Sequence, residues 1–376
     1  MRKIVTACDS FKGSLSSCEA NRAVVEGIHD VMKDCETVSV ETADGGEGTS
    51  GVLTRNLGGV PEHIGVHGPL MRPVEAEYGI AGNTALMEMA SASGLALVPE
   101  DERNPLLANT FGTGEMILDA LGKGCREFIL GIGGSATNDG GIGMLRALGY
   151  RFLDADGAPV TGGGGSLHLI RSIDDSGVTP LLSGSTFKVA CDVRAPFCGH
   201  EGATYVFGPQ KGASEEDLEL LEKGMANLAG VIERHTGIDI NGMPGAGAAG
   251  GLGGALHAFL GASLVPGAGL VLDSAGFRKR IAGADLVITG EGSLDSQTVL
   301  GKAPAGVLRR CIEEGVPCIA VGGRLKDREL LLSHGFASCH SITPDWMDDS
   351  IAMRHDTAFS NLRLTVRKIL KENFGI

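Results

Sequence analysis

The sequence predicts an α/β protein with two domains, the first built from both chain ends around a parallel sheet and the second inserted between them. Near each end, short apolar strands alternate with amphipathic helices, which is the order of a parallel sheet covered by helices. Between these ends, residues 60–90 read as several short strands separated by turns. We therefore assign residues 1–70 and 285–376 to the first domain and residues 71–284 to a mixed α/β domain.

The N-terminal segment starts with a buried strand at residues 3–8, followed by a polar loop. Residues 16–32 carry apolar side chains at helical spacing, with Ser16 as the N-cap and Glu19 three positions later. The next predicted elements are a strand at residues 37–41 and a helix near residues 47–57.

Apolar runs and helical spacing place the remaining elements. In the middle part, we expect strands at 127–132 and 187–193, helices near 112–122 and 214–233, and a helix that follows the glycine-rich turn and ends at about 148. In the C-terminal part, we expect strands at 285–290 and 317–323 and helices near 303–314 and 356–372. The C-terminal part thus has the same alternation as the N-terminal one, which favours a shared sheet.

Composition and charge exclude several classes of protein. Glycine accounts for 59 of 376 residues without a Gly-X-Y period, which rules out collagen and is typical of loops that surround anions. The formal net charge of −14 argues against a nucleic-acid partner and an anionic membrane surface. Residues 241–272 carry no formal charge, but their many glycines and two prolines argue against a membrane span.

The cysteines and the N-terminus suggest a cytoplasmic protein. The nine cysteines include no C-x-x-C pair, so zinc ribbons and thioredoxin-like sites are not expected, and free thiols suit a reducing compartment. The first residues form a strand and contain no apolar signal-peptide segment.

Three glycine-rich loops follow predicted strands, where open α/β sheets bind their ligands. The first contains Lys12 between hydroxyl-bearing residues, and the second is the sequence DGGEG at 44–48. The third, GIGGSATNDGG at 131–141, provides glycine amides and polar side chains before a helix, which is a strong anion-binding arrangement. Each of these loops also has an ordinary structural interpretation as a polar turn or a helix cap.

Charged residues mark three further loops. Asp192 stands at the end of the strand 187–193 and is a candidate general base or a turn cap. Lys211 precedes the expected N-cap Ser214, and capping does not explain a lysine there. Glu291 and Asp295, close to Lys302, are suitable ligands for a hard metal ion or the start of a capped helix.

The segment PGAGAAGG at 244–251 matches the pattern G-x-G-x-x-G at Gly245, Gly247 and Gly250, with Asp273 at the distance of a ribose-binding acid. This pattern is the basis of an alternative function, an NAD-dependent dehydrogenase. The match is weak, because the residues before Pro244 are a poor strand. A non-catalytic anion-binding protein is a third alternative.

Together, these loops suit an anionic ligand with Mg²⁺, which are the components of phosphoryl transfer. The motifs that carry this inference are DSFKGSLS, ADGGEGT, GIGGSATNDGG, ACDV, FGPQKGAS, PGAGAAGGLG and TGEGSLDSQT. In the same order, from about residue 1 to residue 370, they resemble those of the bacterial glycerate kinase family in its glycerate 2-kinase branch.

The resemblance implies a flavodoxin-like α/β domain made from both chain ends, an inserted domain described as restriction-enzyme-like, and an active site in the cleft. It implies ATP-dependent phosphorylation of D-glycerate, in this branch at the 2-hydroxyl to give 2-phosphoglycerate. Phosphorylation at the 3-hydroxyl or of a related small hydroxy acid stays open, as does a homodimer. The implied cofactors are ATP, as a substrate, and Mg²⁺.

The resemblance carries over to individual residues. We expect Asp192 to be the general base, with Asp9 and Asp295 as rivals, and Lys12 and Lys211 to stabilise the transferring phosphoryl group. Glu291 and Asp295 are the expected Mg²⁺ residues. The expected substrate and phosphate contacts are Asp9, Ser10, Ser14, Arg103, Gly133, Gly134, Ser135, Thr137, Asn138 and Asp139, and the nucleotide-loop candidates are Gly245, Gly247, Gly290 and Lys302.

Overall fold

The computed structural model describes residues 2–43, 45–46 and 48–374. Asp44 and Glu47 of the DGGEG motif lie outside the described residues. The strands are β1 (Lys3–Cys8), β2 (Glu36–Ser39), β3 (Val60–His67), β4 (Pro73–Ala81), β5 (Thr84–Glu88), β6 (Glu127–Gly131), β7 (Arg151–Leu153), β8 (Ser172–Asp174), β9 (Thr186–Ala190), β10 (Ser263–Val265), β11 (Leu286–Leu294), β12 (Cys318–Leu325) and β13 (Ser338–Ser341).

The helices alternate with these strands in both halves of the chain. They are α1 (Ser17–His29), α2 (Thr49–Asn56), α3 (Ala90–Ser93), α4 (Phe111–Gly122), α5 (Ile142–Ala147), α6 (Ala203–Phe207), α7 (Glu215–Thr236), α8 (Leu252–Leu260), α9 (Gly267–Ser274), α10 (Phe277–Ile281), α11 (Ala303–Glu314), α12 (Arg328–Ser333), α13 (Asp349–Ala352) and α14 (His355–Phe374).

The chain divides into two compact units, one formed by residues 1–44 and 268–376 and the other by residues 45–267. The sequence placed these boundaries at 70/71 and 284/285. Residues 45–70 fall in the second unit because β3 pairs along its whole length with β4. The segment after residue 267 falls in the first unit, where Arg310 of α11 binds the carboxylate of Asp273 at 2.6 Å.

The first unit contains a parallel sheet in the order β13-β12-β11-β1-β2. Numbered within this unit alone, the order is 2-1-3-4-5, which is that of flavodoxin-like sheets. The strands β1 and β11 lie side by side where the order reverses. The expected flavodoxin-like domain from both chain ends is therefore confirmed.

Alternation along β1 supplies both faces of this sheet. Ile4 and Cys8 pack into the apolar cluster under α1 and α14, whereas Val5 and Ala7 pack into the cluster under α11. Between α1 and α14, Gly27 allows a close approach, because a Cβ there would lie 2.5 Å from the carbonyl oxygen of Arg363. β1 is thus buried on both faces, and the polar loop that follows it lies at the carboxyl edge of the sheet.

Two helix starts follow the sequence prediction closely. Ser16 caps α1 and forms a capping box with Glu19, whose side chain accepts from the Ser16 amide at 2.9 Å. Ser214 caps α7 in the same way together with Asp217. Such caps accept hydrogen bonds from amides that have no partner within the helix, which is why the sequence predicted these positions.

The second unit has a mixed sheet in the order β10-β9-β6-β5-β4-β3. β3, β4 and β5 are antiparallel, whereas β5, β6, β9 and β10 run parallel, so the last four strands end at one edge. The mixed α/β character expected for the inserted domain is confirmed. β9 ends at Ala190, three residues before the predicted end, so that Asp192 lies in the loop beyond it.

The uncharged segment 241–272 folds as turns followed by the short helix α8, the strand β10 and the first part of the helix α9. In the part of the chain that the structure describes, no helix combines the length and the apolar character needed to cross a bilayer.

Candidate functional site

The loop after β1 forms a tight turn on which Lys12 is held. Phe11 and Leu15 exchange backbone hydrogen bonds of 2.8 and 3.0 Å, and Gly13 between them has a φ of +77°, a conformation that favours glycine. Asp9 accepts the amide of Ser10 at 2.6 Å. The loop is therefore a short hydrogen-bonded structure with Lys12 exposed on it.

Glu291 on β11 is a buried carboxylate with two partners. Its Oε1 accepts the hydroxyl of Thr298 at 2.6 Å, and its Oε2 lies 3.3 Å from Nζ of Lys302. Burial raises the pKa of the Glu291 carboxyl above its usual range, and the Thr298 hydroxyl and the Lys302 ammonium group oppose that rise. Sequence analysis missed Thr298, although its place in the motif TGEGSLDSQT, seven residues after Glu291, was visible.

Asp295 has a different environment, in a turn. Its carboxylate accepts the amide of Gln297 at 2.9 Å and the hydroxyl of Ser293 at 3.1 Å. The hydroxyl of Thr298 accepts the amide of Asp295 at 3.0 Å, so one hydroxyl group joins the Glu291 carboxylate to this turn.

These acids determine what metal the site could hold. Among residues 2–43, 45–46 and 48–374, no group of three His, Cys, Asp or Glu side chains is arranged to hold a metal ion. Mg²⁺ is often held by one or two carboxylates together with water and substrate phosphates, and Glu291 and Asp295 fit this type of site.

Gly290 is explained by the sheet. A Cβ at Gly290 would lie 2.3 Å from the carbonyl oxygen of Val321 on β12, so the two strands require glycine here. The carbonyl of Gly290 also accepts the amide of Asp9 at 2.8 Å. Gly290 therefore positions Asp9, and its predicted nucleotide contact is not needed to explain it.

A cavity of about 340 Å³ lies in the first unit at the carboxyl ends of β1, β11 and β12. It adjoins the point where the strand order reverses, which is where open α/β sheets bind ligands. Asp295 and Gly290 do not line it. The predicted site residues that do are Asp9, Ser10, Lys12, Ser14, Glu291 and Lys302.

In the loop 131–139 of the second unit, two glycines are exposed and the residues on both sides of them are buried. Gly133 and Gly134 are exposed, whereas Ser135, Thr137 and Asn138 are buried. Oγ1 of Thr137 and Oδ1 of Asn138 have no hydrogen-bond partner among the described residues. The loop thus has exposed backbone at its two glycines and buried side-chain oxygens that lack a hydrogen-bond partner among the described residues.

Lys211 is buried beneath this loop, with 1% of its surface exposed. Its Nζ donates to the hydroxyl of Ser135 at 2.8 Å and to the carbonyl of Thr137 at 2.6 Å. Burial lowers the pKa of Lys211 to about 7, and the charge of Asp139 opposes that shift. These contacts suit a residue that holds the loop in place, rather than one exposed to a transferring phosphoryl group.

Asp139 is fully buried at the end of the same loop and accepts several hydrogen bonds. Its Oδ2 accepts the amide and the hydroxyl of Thr110 at 2.8 and 2.9 Å and the amide of Gly143 at 3.0 Å. Burial raises the pKa of the Asp139 carboxyl, and these hydrogen bonds oppose the rise. Asp139 therefore ties the loop to the starts of α4 and α5.

Arg103 lies beside Lys211, and both line a narrow space that has no room for a water molecule. Nε of Arg103 is buried without a hydrogen-bond partner among the described residues. A Cβ at Gly212 would lie 2.5 Å from the carbonyl oxygen of Arg103, so the glycine after Lys211 allows this close packing. The structure thus brings Arg103 and Lys211 together next to the loop 131–139.

Asp192 and a residue that the sequence analysis missed, Glu88, follow parallel strands of the second sheet. Oδ1 of Asp192 accepts the amide of Gly267 at 3.0 Å. Glu88, at the end of β5, accepts the amides of Gly48 and Ser50 at 3.1 and 2.6 Å, and so caps α2. Its position at a strand end was the available signal, although a single Glu in an apolar strand is easily overlooked.

Gly45 lies between these acidic residues and the loop 131–139. A Cβ at Gly45 would lie 3.4 Å from Oδ2 of Asp192, and a Cβ at Gly131 would lie 3.2 Å from the carbonyl oxygen of Gly45 and 3.3 Å from Cγ of Glu88. Asp192, Glu88 and the start of the loop therefore share one edge of the second sheet.

The dinucleotide interpretation of residues 244–251 is wrong. No strand precedes the glycines, since residues 241–251 are turns, and the apolar run before Asp273 belongs to the helix α9. The amide of Gly247 donates to the carbonyl of Ala195 at 3.1 Å. Gly245 and Gly247 are buried, and close backbone packing explains them without a nucleotide.

Comparison with known proteins gives one consistent family. The sequence profile of the "Glycerate kinase family" matches residues 4–372. Over 357 residues the chain is 45% identical to the glycerate kinase of Halalkalibacterium halodurans, covering 94% of each chain. Over 343 residues it is 46% identical to the glycerate 2-kinase of Escherichia coli K12, covering 90% of each chain.

A solved structure shows the same likeness. The crystal structure of a Salmonella typhimurium LT2 protein assigned as glycerate kinase 2 has a TM-score of 0.90 with this structure at 42% sequence identity. The match covers 100% of both chains, so it includes both units.

Proposed function

The chain belongs to the glycerate kinase family, and on this premise we propose that it transfers the terminal phosphoryl group of ATP to D-glycerate. The acceptor is the 2-hydroxyl, and the product is 2-phosphoglycerate. The observation that carries this proposal is the 46% identity to a protein named glycerate 2-kinase over 90% of both chains. The polar loops at the strand ends of both units support it, because they contain the cations, carboxylates and amides that phosphoryl transfer uses.

Asp192 is the general base in this proposal. Asp192 lies two residues beyond the end of β9, and Gly45 lies between its carboxylate and the start of the loop 131–139. The amide of Gly267 holds one of its oxygens, so the carboxylate has a fixed orientation. A carboxylate so held can take the proton of the acceptor hydroxyl during transfer. Asp9 and Asp295, both in the first unit, stay the rival bases.

The loop 131–139 and Arg103 bind D-glycerate in this proposal. The glycine amides at the start of the loop suit an oxyanion, and a guanidinium group suits a carboxylate through paired hydrogen bonds. Lys211 acts on the substrate indirectly by holding Ser135 and Thr137. Lys12, exposed on its turn, stabilises the transferring phosphoryl group.

Mg²⁺ would be held by Glu291 and Asp295, directly or through water, with phosphate oxygens as further ligands. The ion neutralises charge on the phosphates of ATP when it is bound. Glu291 itself faces the ammonium group of Lys302, so this part of the first unit combines a cation with a carboxylate.

The compartment and the partners of the protein are proposed from its composition and its cysteines. We place the protein in the cytoplasm, because all nine cysteines are free in the structure, which suits a reducing compartment. The net charge of −14 argues against a nucleic-acid partner. Gel filtration with light scattering tests the homodimer.

The test of function is an assay with purified protein, D-glycerate, ATP and Mg²⁺. ADP release together with a product that enolase converts supports the kinase and its 2-hydroxyl specificity at once. ADP release without direct enolase conversion retains the kinase and moves it to the 3-hydroxyl or to another hydroxy acid. No ADP release from folded protein, with L-glycerate also tried, contradicts the proposal and favours an anion-binding protein.

A further inference from the structure

The cavity of the first unit is lined by apolar residues, called its apolar wall below, and by charged residues, called its charged wall. Phe11 on the turn after β1, Ile342 after β13, and Ala352 and Met353 around the end of α13 line its apolar side. Phe11 and Ile342 are buried, and Met353 is half-exposed. The cavity therefore has both a surface for a flat apolar group and a surface for an anion.

The charged wall contains Lys12 and Lys302, with Arg324 of β12 nearby. Lys302 pairs with Glu291, and Arg324 pairs with Asp349 at the start of α13. Each pairing partner also lines the cavity. Lys302 and Arg324 are thus held at the cavity by neighbouring carboxylates.

Ser14 adds an unsatisfied polar atom. Its Oγ is buried, lines the cavity side of the turn and has no hydrogen-bond partner among the described residues. A buried hydroxyl without a partner costs free energy, so such atoms usually meet a ligand or water. A polar ligand in the cavity would satisfy it.

The size of this cavity and its apolar wall suit a ligand other than D-glycerate. Its volume of about 340 Å³ is in the range of pockets that take drug-sized ligands. D-glycerate is a three-carbon acid with an oxygen on every carbon, so it would leave most of the cavity empty and would gain nothing from the apolar wall. A nucleotide combines a flat ring system with a chain of phosphates and matches both walls.

We propose that this cavity is the nucleotide site, in which the purine ring contacts the wall of Phe11, Ile342 and Met353 and the phosphates meet Lys12 and Lys302. The inference rests on the proposed kinase function and assigns ATP to the first unit. Gly245 and Gly247, the nucleotide candidates of the second unit, take no part in it. The hydroxyl of Ser14 hydrogen-bonds to the bound nucleotide.

The test compares Met353→Asp with Leu364→Asp in the full-length protein. Both side chains are 51% exposed, so both variants should fold, but Leu364 on α14 does not line the cavity. Calorimetric titration with ATP alone should show Met353→Asp weakened roughly tenfold or more, because the apolar contact is replaced by a charge that repels phosphate. Leu364→Asp and the conservative Met353→Leu should bind ATP like wild type.

Two further measurements make the result decisive. The KM for D-glycerate should stay within about threefold of wild type in Met353→Asp, a margin of well under 1 kcal/mol. Ala352→Phe, which fills the same wall without adding charge, should also weaken ATP. Unchanged ATP affinity in both variants, or a loss confined to D-glycerate, would overturn the nucleotide site.

The nucleotide site and the kinase function can be contradicted independently. Wild-type protein that binds ATP through this wall but forms no phosphoglycerate would contradict the kinase and leave the nucleotide site standing. A working kinase whose ATP affinity is insensitive to Met353 and Ala352 would contradict only the site. Wild-type protein that neither binds nor consumes ATP contradicts both.

Discussion

The ammonium group of Lys211 donates a hydrogen bond to the hydroxyl of Ser135 at 2.8 Å, although the two residues are 76 positions apart in the chain. The same group donates to the carbonyl of Thr137. With 1% of its surface exposed, Lys211 is therefore a buried support for the loop 131–139. Burying a cation with few partners costs free energy. The burial of Lys211 should therefore change how the free energy of unfolding depends on pH.

We expect Lys211→Met to remove a rise of stability with pH. The folded chain releases the Lys211 proton at a pKa of about 7, whereas its usual value is 10.5. Between these values the unfolded chain binds more protons, so the free energy of unfolding increases as pH rises. Urea unfolding at pH 7 and pH 9 should show an increase for wild type that exceeds that of Lys211→Met by roughly 1–3 kcal/mol.

The groups that face Lys211 are Asp139, whose charge favours the ammonium form, and Arg103, which lines the same narrow space. Lys223→Met, at an exposed position of α7, is the matched control, and its free energy of unfolding should depend on pH as that of wild type does. Equal slopes for wild type and Lys211→Met would show that burial does not lower the pKa of Lys211 in the folded chain.

Asp192→Asn should lower kcat by about 10²–10⁴-fold, which is the usual contribution of a general base. The fold should be retained, because an asparagine oxygen can still accept the amide of Gly267. Steady-state kinetics and the thermal midpoint measure the two effects. Asp156→Asn, on an exposed turn, is the control, and wild-type turnover in Asp192→Asn would move the assignment to Asp9.

Local signals were strong enough to predict most of the fold. The start of α1 followed from Ser16 and Glu19, and the bounds of α11 agreed with the prediction at 303–314. The boundaries of the units were predicted less well, because the short strands of residues 60–90 gave no sign of which of them pair, and the predicted boundary at 70/71 divides the hairpin of β3 and β4. A short apolar run such as the one before Asp273 does not by itself distinguish a strand from a helix, and in the structure it belongs to the helix α9.

The site was predictable as a set of loops but not as a set of contacts. The motifs identified Glu291 and Lys302, which the structure brings to 3.3 Å. No pattern indicated that Lys211 would be buried, because burial depends on how distant segments pack. Thr298 was missed for the same reason, since a hydroxyl group becomes important only through the carboxylate that it meets.

Thr298→Val should destabilise the protein by about 1.5–3 kcal/mol, the range for hydrogen bonds to charged groups. Valine has nearly the same shape but cannot donate to the buried Glu291 carboxylate or accept the amide of Asp295. Thr298→Ser keeps the hydroxyl and should restore most of the stability. Urea unfolding of both variants tests this, and equal stability of Thr298→Val and wild type would show that the hydroxyl does not hold Glu291.

Gly250→Ala should destabilise the protein by roughly 2–5 kcal/mol, since it combines backbone strain with overpacking. Gly250 has a φ of +67°, and an added Cβ would lie 2.0 Å from the carbonyl oxygen of Thr137, in the loop that Lys211 supports. Gly242→Ala, in the same glycine-rich segment, meets nothing within 4 Å and should change stability by less than about 0.5 kcal/mol. Because Thr137 must move in the first variant, its KM for D-glycerate should rise as well. Equal stability of the two variants, measured by thermal unfolding, would show that the glycine is not what brings residue 250 against the loop.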